Sequence, residues 1–140
     1  MSKYVLVPDS FKGTMTSREI CEIMQHAIER IDSDAKIISV PVADGGEGSV
    51  DAFLSALGGK QKAITVTGPH FEKLSSSYGI TADGTAVIEM SACAGLPLVY
   101  GKKNPELTTT YGVGELICNA ARSGARRIVI GLGGSATNEG

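Results

Sequence analysis

Three times in this chain a short apolar run, rich in β-branched residues, breaks off into a loop of glycine, acidic and hydroxyl residues. Tyr4-Val5-Leu6-Val7 gives way to Pro8-Asp9-Ser10-Phe11-Lys12-Gly13, and Lys36–Val42 to Ala43-Asp44-Gly45-Gly46-Glu47-Gly48. Near the end, Ile128-Val129-Ile130 leads through Gly131-Leu132 into Gly133-Gly134-Ser135-Ala136-Thr137-Asn138. A strand apolar at successive positions is one that a parallel sheet buries on both faces. Glycine after it permits a tight turn and a close approach of backbone to a neighbour. In open α/β sheets ligands sit outside the carboxyl ends of the strands. The chain is therefore expected to be α/β, with its chemistry in strand-end loops.

The segments between these loops fit that expectation. Ile20, Ile23, Met24, Ala27, Ile28 and Ile31 recur at helical spacing behind Thr16 and Glu19, a capping box, and predict a helix from about Ser17 to Ile31. Val50, Phe53, Leu54 and Leu57 form a second stripe, closed by Gly58-Gly59. Strand, helix, strand, helix is the order of a parallel sheet. From residue 60 the pattern changes. Ala63–Thr67 reads as a strand, and Ser77–Ala82 and Thr85–Met90 flank Asp83-Gly84, a pair favoured in two-residue hairpin turns. After a proline- and glycine-bearing stretch from Gly95 to Pro105, Val113–Ser123 is again helical, Gly124 stops it, and Arg127–Leu132 is the last strand. The expected architecture is a Rossmann-like parallel unit over residues 1–60. Part of a second α/β lobe follows over 61–140, containing an antiparallel hairpin and cut off at a Gly-rich loop.

Composition narrows the function classes. With 42% hydrophobic and 20% charged residues and a net charge of −2, the chain reads as a soluble globular protein with no basic surface for nucleic acid or anionic membrane. No apolar run approaches the roughly 20 residues that span a bilayer. Cys21, Cys93 and Cys118 are odd in number, widely spaced and without a C-x-x-C, so they are expected to be buried thiols in a cytoplasmic protein. The 18 glycines have no repeat period and cluster in the loops.

Those loops hold the chemistry. Glycines let main-chain N–H groups approach phosphate oxygens, and a following helix N-terminus adds partial positive charge. Lys12 is a mobile cation; Asp9, Asp44 and Glu47 are hard oxygen donors of the kind Mg²⁺ takes alongside phosphates and water. Ser10, Ser135 and Thr137 offer hydroxyls. Plainer readings stand beside these: Asp9-Ser10 as turn chemistry, Lys12 as a solvated charge, Asp44 as a helix cap with Glu47 in the first turn. Thr108-Thr109-Thr110, ahead of Gly112 and Gly114, either cap a helix or line a cleft. Glu89 points away from its apolar neighbours Ile88 and Met90; His26 belongs to a helix surface; His70 is turn surface or a substrate contact. No Walker sequence is present, and no G-x-G-x-x-G follows the first strand, which argues against a dinucleotide-dependent oxidoreductase.

Four segments taken together resemble the signature regions of the bacterial glycerate kinases: Pro8–Gly13, Ala43–Gly48, Thr109-Thr110-Tyr111-Gly112-Val113-Gly114-Glu115-Leu116-Ile117, and Gly133–Asn138. The resemblance runs in order along the whole chain and includes Ala86-Val87-Ile88-Glu89-Met90. It implies ATP- and Mg²⁺-dependent phosphorylation of D-glycerate to 2-phosphoglycerate. Lys12 would hold the substrate carboxylate or the transferring phosphate, and Asp44 or Glu47 the metal or the attacking hydroxyl. Asp9, Ser10, Gly45, Gly46, Thr110, Gly133, Gly134, Ser135 and Thr137 would bind substrate and phosphates. Family members are considerably longer, so the chain is expected to be an N-terminal portion, inactive by itself. Where the family continues Asn-Asp-Gly-Gly, this chain has Asn138-Glu139-Gly140, which keeps the charge and lengthens its reach by a methylene. The alternative from another class is a non-catalytic segment that binds an anion or a nucleotide.

Overall fold

A computed structural model describes residues 1–138 of the chain, so Glu139 and Gly140 lie outside the described residues. The chain forms two units, Met1–Ala43 and Asp44–Gly140.

In the first unit, strands β1 (Lys3–Leu6) and β2 (Lys36–Ser39) flank helix α1 (Ser17–Glu29). The strands pair in parallel, from Lys3 opposite Lys36 to Leu6 opposite Ser39. The capping box forms as the sequence predicts: the Thr16 hydroxyl accepts the Glu19 N–H at 3.2 Å, and the Glu19 carboxylate accepts the Thr16 N–H at 2.7 Å. Helix α1 packs on both strands, burying Leu6, Ile20 and Cys21. The expected burial of the first strand on both faces is not found. Val5 and Val7 point the other way and are 56% and 54% exposed, because within this unit only α1 covers the pair.

The second unit begins with helix α2 (Ser49–Leu57), closed by Gly58 at φ +68°. It then builds a four-stranded sheet in the order β3 (Gly59–Thr67), β4 (Lys73–Thr81), β5 (Thr85–Glu89), β6 (Arg127–Gly131). Strands β3, β4 and β5 run antiparallel in turn, while β6 returns parallel to β5, with Glu89 opposite Gly131. Consequently β3, β5 and β6 all end at one edge. Helix α2, which the sequence pattern groups with residues 1–60, packs on β4 and β5. The hairpin loop has three residues rather than two: β4 stops at Thr81, and Gly84 at φ +83° follows Ala82-Asp83. Asp83 accepts the Thr81 hydroxyl and the Thr85 N–H, and these bonds hold its carboxyl below the usual range. A left-handed third position is what such loops require.

Between β5 and β6 the chain makes a short helix α3 (Ser91–Ala94), two 3₁₀ turns and helix α4 (Tyr111–Arg122). The core is Val66, Tyr78, Ala86, Ile88, Cys93, Ala94, Val113, Leu116 and Ala120. Tyr78 is wholly buried and its hydroxyl bonds the Asn119 amide oxygen at 2.9 Å, so its polar end is satisfied. Cys21 and Cys93 are buried as expected, but Cys118 is exposed on the outer side of α4. Burial pushes the Cys93 thiol up to about 11, so it is inert at neutral pH. No helix among the described residues is long and apolar enough to cross a membrane.

Candidate functional site

Within the second unit the edge where β3, β5 and β6 end gathers five loops into one hydrogen-bonded assembly. The Gly133 N–H donates to Gly45 O at 2.9 Å, which joins the second and third glycine loops. Met90 N–H donates to Gly131 O, Leu96 N–H to Gly134 O and Ala136 N–H to Ala94 O, each at 2.9 Å. The Thr108 hydroxyl donates to Ala136 O at 3.1 Å, and the Thr109 N–H to Pro69 O at 3.0 Å. Glycine is required at the crossing. A Cβ on Gly133 would stand 2.6 Å from Gly46 N, and one on Gly131 would collide with Gly45 O. Both obstacles are backbone.

Asp44 is not the cap of α2. Its Oδ1 accepts the Gly46 N–H at 3.0 Å and folds its own loop, whereas the cap position is Gly48 at φ +92°, without a side-chain bond. Asp51, not Glu47, is the acid of the first turn. Asp44 and Glu47 are both exposed on the rim of this loop, and Gly46 is buried beneath them. In the terminal loop the Ser135 and Thr137 hydroxyls lie 3.1 Å apart, and the Thr137 N–H reaches Ser135 Oγ at 3.3 Å. Thr109, not Thr110, gives its side-chain oxygen to the Tyr111 N–H, at 3.1 Å. Thr110 is half-buried at the start of α4.

Glu89 stands at the end of β5 and accepts the Val50 N–H at 2.7 Å, so the chain's own carboxylate engages the amino end of α2. A ligand anion is therefore not needed there. Burial pushes the Glu89 carboxyl above its usual range, opposed by the bond from Val50. A raised carboxyl pKa in the folded state means that the stability it contributes is full below the unfolded value. That contribution is lost as pH rises through the folded value. Glu89→Gln, which keeps an acceptor and removes the charge, should weaken this fall in thermal melts taken from acid to neutral pH. Glu89→Ala, which removes the acceptor as well, should lose about 1 kcal/mol by uncapping the helix, with the larger loss on the acid side.

The first loop belongs to the other unit. There Phe11 N–H donates to Met15 O at 2.9 Å and Thr14 N–H to Phe11 O at 2.7 Å, which puts Lys12-Gly13 at the tip of a tight turn. Gly13 has φ +78° and Lys12 is exposed. The Ser10 N–H donates to Asp9 Oδ1 at 2.7 Å, a bond between chain neighbours in an irregular segment. Ser17 ties this unit's two strand ends together: its hydroxyl donates to Pro8 O at 2.6 Å and accepts the Val42 N–H at 3.0 Å.

Among the described residues, no group of three or more His, Cys, Asp or Glu side chains is placed to hold a metal ion. The donor set still suits Mg²⁺, which takes one or two carboxylates and completes its shell with phosphate and water.

A family model described as the glycerate kinase family matches residues 4–140. The chain belongs to the glycerate kinase family. It is 49% identical over 140 residues to the glycerate 2-kinase of Escherichia coli and 45% identical to the glycerate kinase of Haemophilus influenzae, covering 99% of this chain in both. Its fold matches the crystal structure of a Salmonella typhimurium protein described as a glycerate kinase 2, with TM-score 0.81, 40% identity and 98% of this chain covered. The chain spans about 37% of the length of each of these proteins.

Sequence reading missed the Met90–Leu96 segment, which supplies three of the bonds that hold the terminal loop. The signal was its small residues. A Cβ on Gly95 would collide with Ser91 O, and Ala92-Cys93-Ala94 let the chain turn back against Ala136. Glu115, inside the third signature segment, also has a defined task. Its Oε2 accepts the Thr67 N–H at 2.5 Å, and this bond holds its carboxyl below the usual range and fastens α4 to the end of β3.

Proposed function

We propose that the whole protein phosphorylates D-glycerate with ATP and releases 2-phosphoglycerate. The observation that carries this reading is the crossing of Gly45-Gly46 by Gly131–Gly133, in a chain of this family, beside two exposed carboxylates and two adjacent hydroxyls. The main-chain N–H of Gly134, with Ser135 and Thr137, takes phosphate oxygens, while Gly133 holds the loop against Gly45. Asp44 and Glu47 would hold Mg²⁺, which when bound offsets charge on the phosphates. Lys12, with Asp9 and Ser10 on the same loop, holds the glycerate carboxylate or the phosphate in transit. Either Asp44 or Glu47 orients the attacking hydroxyl, and Thr110 contributes a hydroxyl to the same substrate. Phosphoryl transfer asks for this kind of positioning and charge stabilisation, and for little covalent work from the protein.

Coupled ADP release by the whole protein tests the reading, with and without D-glycerate. The double change Ser135→Ala, Thr137→Ala should raise the KM for ATP about tenfold by removing two donors. Glycerate KM should hardly move. An effect on glycerate alone would take those hydroxyls out of the phosphate site.

A second reading concerns the 140-residue chain alone and is favoured by its share of its relatives' length. On this reading the isolated chain binds an anion or nucleotide without catalysis. A thermal shift with ATP–Mg²⁺ but no glycerate-dependent turnover is the expected behaviour.

A further inference from the structure

His70 carries a buried polar atom that the fold does not use. Its Nε2 is enclosed and has no hydrogen-bond partner among the described residues. Buried polar groups are almost always paired, and each exception calls for an explanation. The loop that bears it is held firmly. Gly68 N–H donates to Glu72 O at 2.7 Å, Phe71 N–H to Gly68 O at 3.1 Å, and the backbone N–H of His70 to Glu72 Oε2 at 2.9 Å. Pro69 is fully buried, and its carbonyl accepts the Thr109 N–H. Next to His70, Phe71 adopts φ +65°, the one non-glycine residue in the left-handed region among those described. Such backbone persists where the surroundings over-determine it, and it clusters at ligand clamps.

Position gives the atom a use. The loop joins β3 to β4 at the edge where β3, β5 and β6 end. Through Thr109 and Thr108 it is bonded onward to Ala136 of the terminal loop. His70 therefore belongs to the same five-loop assembly as Gly45, Gly133, Ser135 and Thr137.

We infer that His70 is a substrate-binding residue, its Nε2 making one hydrogen bond to a hydroxyl or carboxylate oxygen of the small hydroxy acid. This rests on the kinase reading for the identity of the acid. Either neutral tautomer suffices, since Nε2 donates in one and accepts in the other. Phe71, 69% exposed, stands beside it as an apolar flank.

The test uses the whole protein with His70→Ala and His70→Gln. His70→Ala should raise the KM for D-glycerate about tenfold, with the KM for ATP and the melting temperature unchanged. His70→Gln, which restores a side-chain donor and acceptor, should recover part of that loss. An unchanged KM for glycerate, or equal changes in both constants with a lowered melting temperature, overturns the inference. If the unsubstituted protein shows no glycerate-dependent turnover, it is the activity reading that fails, and His70 is judged by NMR of its ring. Movement of the ring signals on titration with D-glycerate then sustains the contact. Movement with inorganic phosphate alone, or none, overturns it.

Discussion

Alanine at Gly133 is expected to disable the candidate site without touching a reactive group. The added Cβ would sit 2.6 Å from Gly46 N, and further backbone atoms of Gly46 and Gly45 stand within 3.0 Å. Backbone cannot rotate away as a side-chain tip can, so the two loops must separate. Overpacking of this kind costs about 1–3 kcal/mol, and the bond from Gly133 N–H to Gly45 O adds about 1 kcal/mol when it breaks. A shift of about 1 Å in groups that position substrate can cost on the order of 100-fold in turnover. Gly114→Ala is the matched control: it is helical, its Cβ would meet nothing within 4 Å, and alanine is the better helix former. Gly133→Ala should lower both the melting temperature and turnover, whereas Gly114→Ala should raise the melting temperature slightly and leave turnover in place. Equal behaviour would mean that the loop crossing is not what holds the site.

The second large effect is expected at Lys12. It is exposed at the tip of a turn that backbone bonds between Phe11, Thr14 and Met15 close. Lys12→Ala should keep that turn and a cooperative melt. If Lys12 holds the carboxylate or the transferring phosphate, turnover should fall by about 100- to 1,000-fold, the usual scale for one donor to developing charge. Asp44→Asn is expected to act differently. Its amide oxygen can still accept the Gly46 N–H, so the loop should keep its shape while a carboxylate for metal or hydroxyl is lost. Lys12→Ala with near-normal turnover would return Lys12 to the role of a solvated charge.

Local grammar was the most legible part of this chain. Thr16 and Glu19 announced the start of α1, Gly58 the end of α2, and Gly84 the hairpin, because each of these depends on a few neighbouring residues. Burial was harder to read. Val5 and Val7 look like core in the sequence, yet whether a strand face is covered depends on which elements pack on it. Cys118 misled for the same reason, since it falls on the outer side of α4. At the site, the glycines of the second and third loops were visible, but their meeting was not. It depends on β6 returning parallel to β5, a pairing between residues some 42 positions apart in register. Glu89 shows the limit best. It could be placed on the right face of its strand, but that its carboxylate reaches the Val50 N–H follows only from the packing of α2 on β5.

The most direct test of the central claim is ADP formation by the whole protein supplied with Mg²⁺ and ATP, measured as D-glycerate is added. Release should rise and saturate with D-glycerate, with 2-phosphoglycerate formed in equal amount. ADP release indifferent to D-glycerate, or none at all from a folded protein, would contradict it.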